Sequence, residues 1–111
     1  MGPNELGLVA RYVVKLLVER RFDELEEASN GVRLSASEME EALEDVGRPL
    51  VMPPEPSWNN INATAIRNWP GAYSVKVDLW TSLGRSDLMV ELTLHTKNGK
   101  PVIEVDDIGV R

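Results

Sequence analysis

Asp106 and Asp107 stand side by side in the closing stretch Ile103-Glu104-Val105-Asp106-Asp107-Ile108-Gly109-Val110. Paired carboxylates can share a proton for acid–base work or hold a hard cation such as Mg²⁺ or Ca²⁺. Asp78, Glu91 and the single histidine, His95, are the other ionisable groups that the surrounding alternation could bring near them. Lys76 falls in the same pattern and works against a cation, and no calcium-loop spacing of acids occurs. His95 follows Glu91 by four residues. At ~3.3 Å per strand residue that is about 13 Å, too far to share a metal or a proton directly. A lone histidine on the polar face of a strand is expected to be exposed. With no cysteine, disulfides, thiolate metal sites and thiol nucleophiles are excluded. No nucleophile elbow, phosphate-cradling glycine loop or zinc-protease helix is present. The residues therefore assign no catalytic group, metal set or cofactor, and the balance is against an enzyme.

The elements that must position these acids are strands. Tyr73, Val75, Val77 and Leu79 alternate with Ser74, Lys76, Asp78 and Trp80, and Leu88 to His95 continue the period of two. Asn98-Gly99 is a strong hairpin signal. It pairs Lys97 with Lys100, sets Leu94 opposite Ile103 and Leu92 opposite Val105, and keeps apolar residues on one face. For the earlier hairpin, Thr81 opposite Ser86 across Ser82-Leu83-Gly84-Arg85 would put Leu79 against Leu88 and Val77 against Val90. A weaker strand is expected around Asn60–Arg67. The inward set runs Ile103, Val105, then Ile108, Val110, so one extra residue at Asp106-Asp107 restores the inward face, as a β-bulge does. The inferred register lays Lys76, Glu91 and Asp106 in one row of the polar face and Ser74, Thr93 and Glu104 in the next.

Ahead of the strands the period is helical. Leu6, Val9, Ala10, Val13, Leu16 and Leu17 predict an amphipathic helix over about residues 4–20. FDELEEAS predicts a short second helix with Phe22, Leu25 and Ala28 inward, broken at Asn30-Gly31. Ser35-Ala36-Ser37-Glu38 is a capping box with Leu34 and Met39 at the staple positions, and Gly47 fits the position after the helix end. The expected architecture is a single α+β domain, with two or three N-terminal helices on one face of a three- to four-stranded antiparallel sheet. Residues 1–47 form the helical part, 48–57, with four prolines, a connector, and 58–111 the sheet.

In this topology Trp80, Arg85, Asp87, Asp106, Asp107 and Arg111 gather at one end of the sheet. Arg85 could brace Asp87 or Asp107, or the group could recognise a partner, since Trp and Arg dominate binding hot spots. Trp69 marks the opposite end, and Trp58 and Trp69 can both cover the core. Glu24, Glu26 and Glu27, then Glu38, Glu40, Glu41, Glu44 and Asp45, give the second and third helices acidic outer faces, suited to a basic protein.

The charge is −6 and uneven: residues 1–50 carry six basic and eleven acidic side chains, residues 51–111 six and seven. An acidic chain without a basic stripe is a poor binder of nucleic acid or anionic membrane. The N-terminal apolar run is interrupted by Arg11, Lys15 and Glu19, so neither a signal peptide nor a membrane span is expected, and the chain reads as cytoplasmic.

Leu79-Trp80-Thr81, Gly84-Arg85-Ser86-Asp87-Leu88 and Val105-Asp106-Asp107-Ile108 resemble an uncharacterised family of small bacterial α+β domains. The resemblance implies a bacterial cytosolic protein and brings no agreed activity. Helices followed by a curved antiparallel sheet are also similar in architecture to cystatin-like and nuclear-transport-factor-like folds, which licenses no function. The favoured expectation is a non-enzymatic protein-binding module, immunity- or antitoxin-like, masking a basic partner through Trp80, Arg85, Asp87, Asp106, Asp107 and the helical acids Glu40, Glu41 and Glu44. The alternative is a ligand-binding or enzymatic cone with a pocket between helices and sheet. A homodimer through the polar sheet face is a third reading.

Overall fold

Among the described residues, period and caps turn into three α-helices and five strands. The computed structural model describes residues 1–30, 33–44 and 46–110. Gly31, Asp45 and Arg111, invoked above, lie outside the described residues. Helix α1 (Pro3–Val18) begins with proline at its first position, where the absent N–H costs nothing. It buries Leu6, Ala10, Val13, Val14, Leu16 and Leu17. It ends in a Schellman arrangement: Arg20 takes the left-handed conformation (φ 57°), Arg21 N donates to Leu16 O and Arg20 N to Leu17 O. Helix α2 (Phe22–Ala28) turns Phe22 and Leu25 inward. Ala28, expected inward, is exposed, and the buried residue of that turn is Ser29, whose hydroxyl donates to Leu25 O at 2.8 Å.

Helix α3 (Ala36–Glu44) starts as its sequence dictates. Glu38 N donates to Ser35 Oγ at 3.2 Å, and Ser35 N to Glu38 Oε1 at 3.0 Å, the two halves of a capping box. Glu26 of α2 accepts from Ala36 N at 2.8 Å, so another amide that the helix leaves open is satisfied from the neighbouring helix. These bonds from Ser35 hold the Glu38 carboxyl below its ordinary pKa.

The sheet is antiparallel throughout: β1 (Leu50–Val51), β2 (Asn62–Ala65), β3 (Tyr73–Thr81), β4 (Gly84–Lys97) and β5 (Lys100–Val110). β3, β4 and β5 lie in that order, and β1 and β2 share the outer edge of β3, pairing with its end and its beginning. The expectation of three or four strands falls short by one. The connector supplies the extra strand, since Leu50 and Val51 pair with Thr81 and Trp80. Pro49 and Pro53 flank this pair, so the same prolines that read as connector also confine the strand to two residues. A short 3₁₀ helix, Glu55–Asn60, then leads into β2.

The Asn98-Gly99 turn forms as predicted, with both residues at positive φ (54° and 77°) and Lys97 opposite Lys100. Leu94 meets Ile103, Leu92 meets Val105, and Val77 meets Val90. The other hairpin differs. It closes on Ser82-Leu83 with Thr81 opposite Gly84, and Ser86, Asp87 and Leu88 bow out opposite the single residue Leu79. Ser86 Oγ donates to Leu79 O at 2.7 Å and accepts from Leu88 N at 3.1 Å, replacing ladder bonds lost in the bow.

Helices and sheet meet over one core. Leu17, Leu25, Met39, Leu79, Leu92, Leu94, Val13, Val14, Val75, Val90 and Val105 are all buried to below 2% exposure. These side chains fill the middle of the space between helices and sheet, and at its edge a hollow of about 390 Å³ remains between the start of α1 (Pro3, Leu6, Gly7) and Ile61, Ala63 and Tyr73 of the sheet side. Trp58 joins them at 8% exposure, with the Arg11 guanidinium 5.0 Å above its ring. No helix among the described residues is long and apolar enough to cross a membrane.

Two measurements check this account. Replacing Asn98 and Gly99 by alanine places two Cβ-bearing residues without a compensating side chain in left-handed conformations, at about 1–2 kcal/mol each in urea unfolding. Glu38→Ala should lower Tm at neutral pH. A lowered folded pKa stabilises above the unfolded pKa and loses that contribution as pH falls through the folded value, so the difference from the parent chain should close in acid.

Candidate functional site

The structure distributes the sequence-predicted residues among three places. On β3 and β4, residues that point away from the core include Ser74, Lys76, Asp78 and Trp80, and Met89, Glu91, Thr93 and His95. The helices pack on the opposite face. Glu40, Glu41 and Glu44 therefore occupy the other side of the molecule from Trp80, and one small contact cannot cover both.

The first place lies around Trp80 and Arg85, directly paired across β3 and β4. They line a cleft of about 380 Å³ with Lys76, Asp78, Met89, Val77, Ser57, Trp58, Ile61 and Asn62. Arg85 Nη1 donates to Asp78 Oδ2 at 3.5 Å, and not to Asp87 or Asp107 as the expected brace had it. The bow in β4 is the reason: it carries Asp87 away from the Trp80–Arg85 pair. Asp87 instead lines a neighbouring hollow of about 390 Å³ with Arg48, Leu83, Leu88 and Val110, and Arg85 stands between the two. Leu83 and Val110 are exposed there, at 73% and 74%.

The second place is mid-sheet. The bulge falls where the alternation put it: Leu92 pairs with Val105 and Glu91 with Asp107, leaving Asp106 as the extra residue. The row is thus Lys76, Glu91, Asp107, and the expected place of Asp106 in it is corrected by the bulge itself. Asp106 is removed from the Trp80 end and engaged elsewhere. Thr93 Oγ1 donates to its Oδ2 at 2.6 Å. Its Oδ1 is buried and accepts no hydrogen bond among the described residues, with Arg33 Nε at 3.6 Å. Arg33 stands equally close to Glu104 Oε1. Glu104 Oε2 faces His95 Nε2 at 3.6 Å, and the Trp69 ring packs against His95 at a tilt of 45°, with centroids 4.5 Å apart.

Two of these contacts went unseen in the sequence. His95 was expected to be exposed, yet its side chain is only 14% accessible, like Glu104 at 15%. Measuring along the strand to Glu91 missed the diagonal neighbour across it. The pairing of Thr93 with Glu104 already sets His95 beside that carboxylate. Arg33 comes from the connection between α2 and α3, where no pattern announces a partner. Chemically the cluster is a chain of contacts tying Trp69, β4, β5 and Arg33 together. His95 makes no hydrogen bond to a hydroxyl, and no group of three or more acids or histidines is gathered closely enough for a metal ion, both among the described residues.

The third place is the helical surface. Glu40 pairs with Arg20 at 3.2 Å, Glu24 is held by Arg21, and Glu26 caps α3. Asp23, Glu27, Glu41 and Glu44 are exposed and make no ion pair among the described residues.

The mid-sheet contacts and the exposed acid next to them separate in a stability measurement. Thr93→Val leaves a mostly buried carboxylate without its short hydrogen bond and should cost roughly 1–3 kcal/mol. Asp107→Asn, at an exposed position beside Glu91, should stay within about 0.5 kcal/mol of the parent.

Comparison with known proteins adds one match. No curated protein matches the chain, and no solved structure does. Residues 14–111 match the family model described as a domain of unknown function, DUF7668. With the whole sheet and most of the helical part inside the match, the chain belongs to that family.

Proposed function

We propose that the protein is a non-enzymatic protein-binding module of the bacterial cytoplasm, and that its contact site is the outer sheet face around Trp80 and Arg85. The observation that supports this most directly is the cross-strand pairing of a half-buried Trp80 with an exposed Arg85 at the wall of an open cleft. A rigid strand pair presents these two side chains together, and such residues carry a large share of binding energy where they can be desolvated. The close-packed centre between helices and sheet favours this reading over the ligand-binding or enzymatic cone, to which only the open hollow beside the start of α1 lends support.

An immunity- or antitoxin-like form of the same function, masking a basic partner, is supported by the exposed helical acids Asp23, Glu27, Glu41 and Glu44, which have no ion pair among the described residues. It uses the opposite side of the molecule and would be strongly salt-dependent, as exposed charges are.

Affinity capture with the full chain as bait tests both. Trp80→Ala should abolish retention of the specific partner with the circular dichroism spectrum unchanged, while a Glu41→Lys, Glu44→Lys double variant retains it. Loss in the helical variant alone, with Trp80→Ala still binding, would transfer the function to the acidic surface. A small-molecule ligand copurifying with the chain, and no protein, would reject the binding-module reading.

A further inference from the structure

We infer that the cleft beside Trp80 and Arg85 takes an acidic peptide segment, with a carboxylate side chain next to an apolar one. This rests on the protein-binding reading above and adds the chemistry of the partner. Trp80, Met89, Ile61 and Trp58 supply apolar wall, while Lys76 and Arg85 bring two positive charges against the single carboxylate of Asp78. Lys76 stands directly across from Glu91 yet makes no ion pair with it among the described residues. Its ammonium therefore remains available to a group arriving from outside. Arg85 reaches Asp78 through one terminal nitrogen at 3.5 Å, the outer limit of a hydrogen bond. The rest of its fork, matched to carboxylate geometry, has no partner among the described residues. Among the residues lining the cleft this leaves one positive charge in excess, with Glu91, across from Lys76, outside the lining. In a chain of net charge −6, that excess favours an anion seated in the cleft itself.

The walls choose a segment over a small free acid. Small-ligand sites bury roughly 70–90% of their ligand. Here one wall is Arg85, whose side chain is 56% exposed, and another the exposed Lys76. A cleft so open covers one or two side chains of something longer that lies across the strands. The apolar side chain rests against Trp80 and Met89, and the carboxylate bridges Lys76 and Arg85.

A phage-displayed library of random short peptides, selected on the full chain at low salt, supplies the probe. An enriched sequence is then synthesised and titrated by fluorescence anisotropy. The selection should return Asp or Glu adjacent to Leu, Phe or Trp. Binding should weaken about tenfold or more in Arg85→Gln and in Trp80→Ala, and should fall as salt rises. A folded Lys76→Glu, Arg85→Glu double variant should return basic peptides from the same library. Enrichment of basic or uncharged peptides by the parent chain, no enrichment, or titrations indifferent to these substitutions would overturn the inference. So would full displacement of the peptide by free phenylacetate at matching affinity, which would give the cleft to small acids. If the captured partner still depends on Trp80 while the selected peptides are basic or neutral, the protein-binding reading stands and only the acidic occupant falls.

Discussion

The constraint on which the structure depends is phase. Three strands must each keep every second side chain against the same helices, over lengths at which one unmatched residue would turn the remainder to water. Both irregularities in the sheet obey it, in opposite ways. The bow in β4 inserts two residues relative to β3, an even number, so Arg85 and Met89 stay on the outer face and Val90 and Leu92 on the inner one. The bulge in β5 inserts one, an odd number, where the chain has itself changed phase, and Val105 and Ile108 are both buried as a result. Each insertion leaves backbone or carboxylate groups without a ladder partner, and a hydroxyl answers in each case: Ser86 to Leu79 O and Leu88 N, Thr93 to Asp106.

That division explains what could be read from the sequence. The capping box of α3, the Asn98-Gly99 hairpin and the bulge are local rules, each written in a few neighbouring residues, and each is found in place. The first hairpin was misjudged because an even insertion leaves the alternation undisturbed: nothing in the pattern of Leu79, Leu88 and Val90 distinguishes a four-residue turn from a tight turn with a bow behind it. The strand in the connector was hidden for another reason. Leu50 and Val51 are too few to establish any period, and only Trp80 and Thr81 opposite define them as a strand.

The candidate residues suffered in proportion. Trp80 and Arg85 are neighbours because they sit next to the turn, where any register close to the true one brings them together. Asp87 is separated from Trp80 by the bow, Asp106 from both by its place at the Glu91–Leu92 level of the ladder, and the acids of α3 by the thickness of the core. Arg33 could be placed by no sequence argument, since its contacts with Glu104 and Asp106 bridge more than seventy positions of chain. Grouping by strand number thus found the pair and lost the set.

The C-terminal strand has one more role to play. β5 is eleven residues long and lies at the edge of the sheet, a row of backbone donors and acceptors that invites addition of another chain. Pro101 removes a donor near its start, the bulge at Asp106 breaks the straight run in the middle, and Arg33 sits over the acids between them. The same extra residue that keeps Ile108 in the core therefore leaves no long, flat template on which copies of the chain could stack into fibrils.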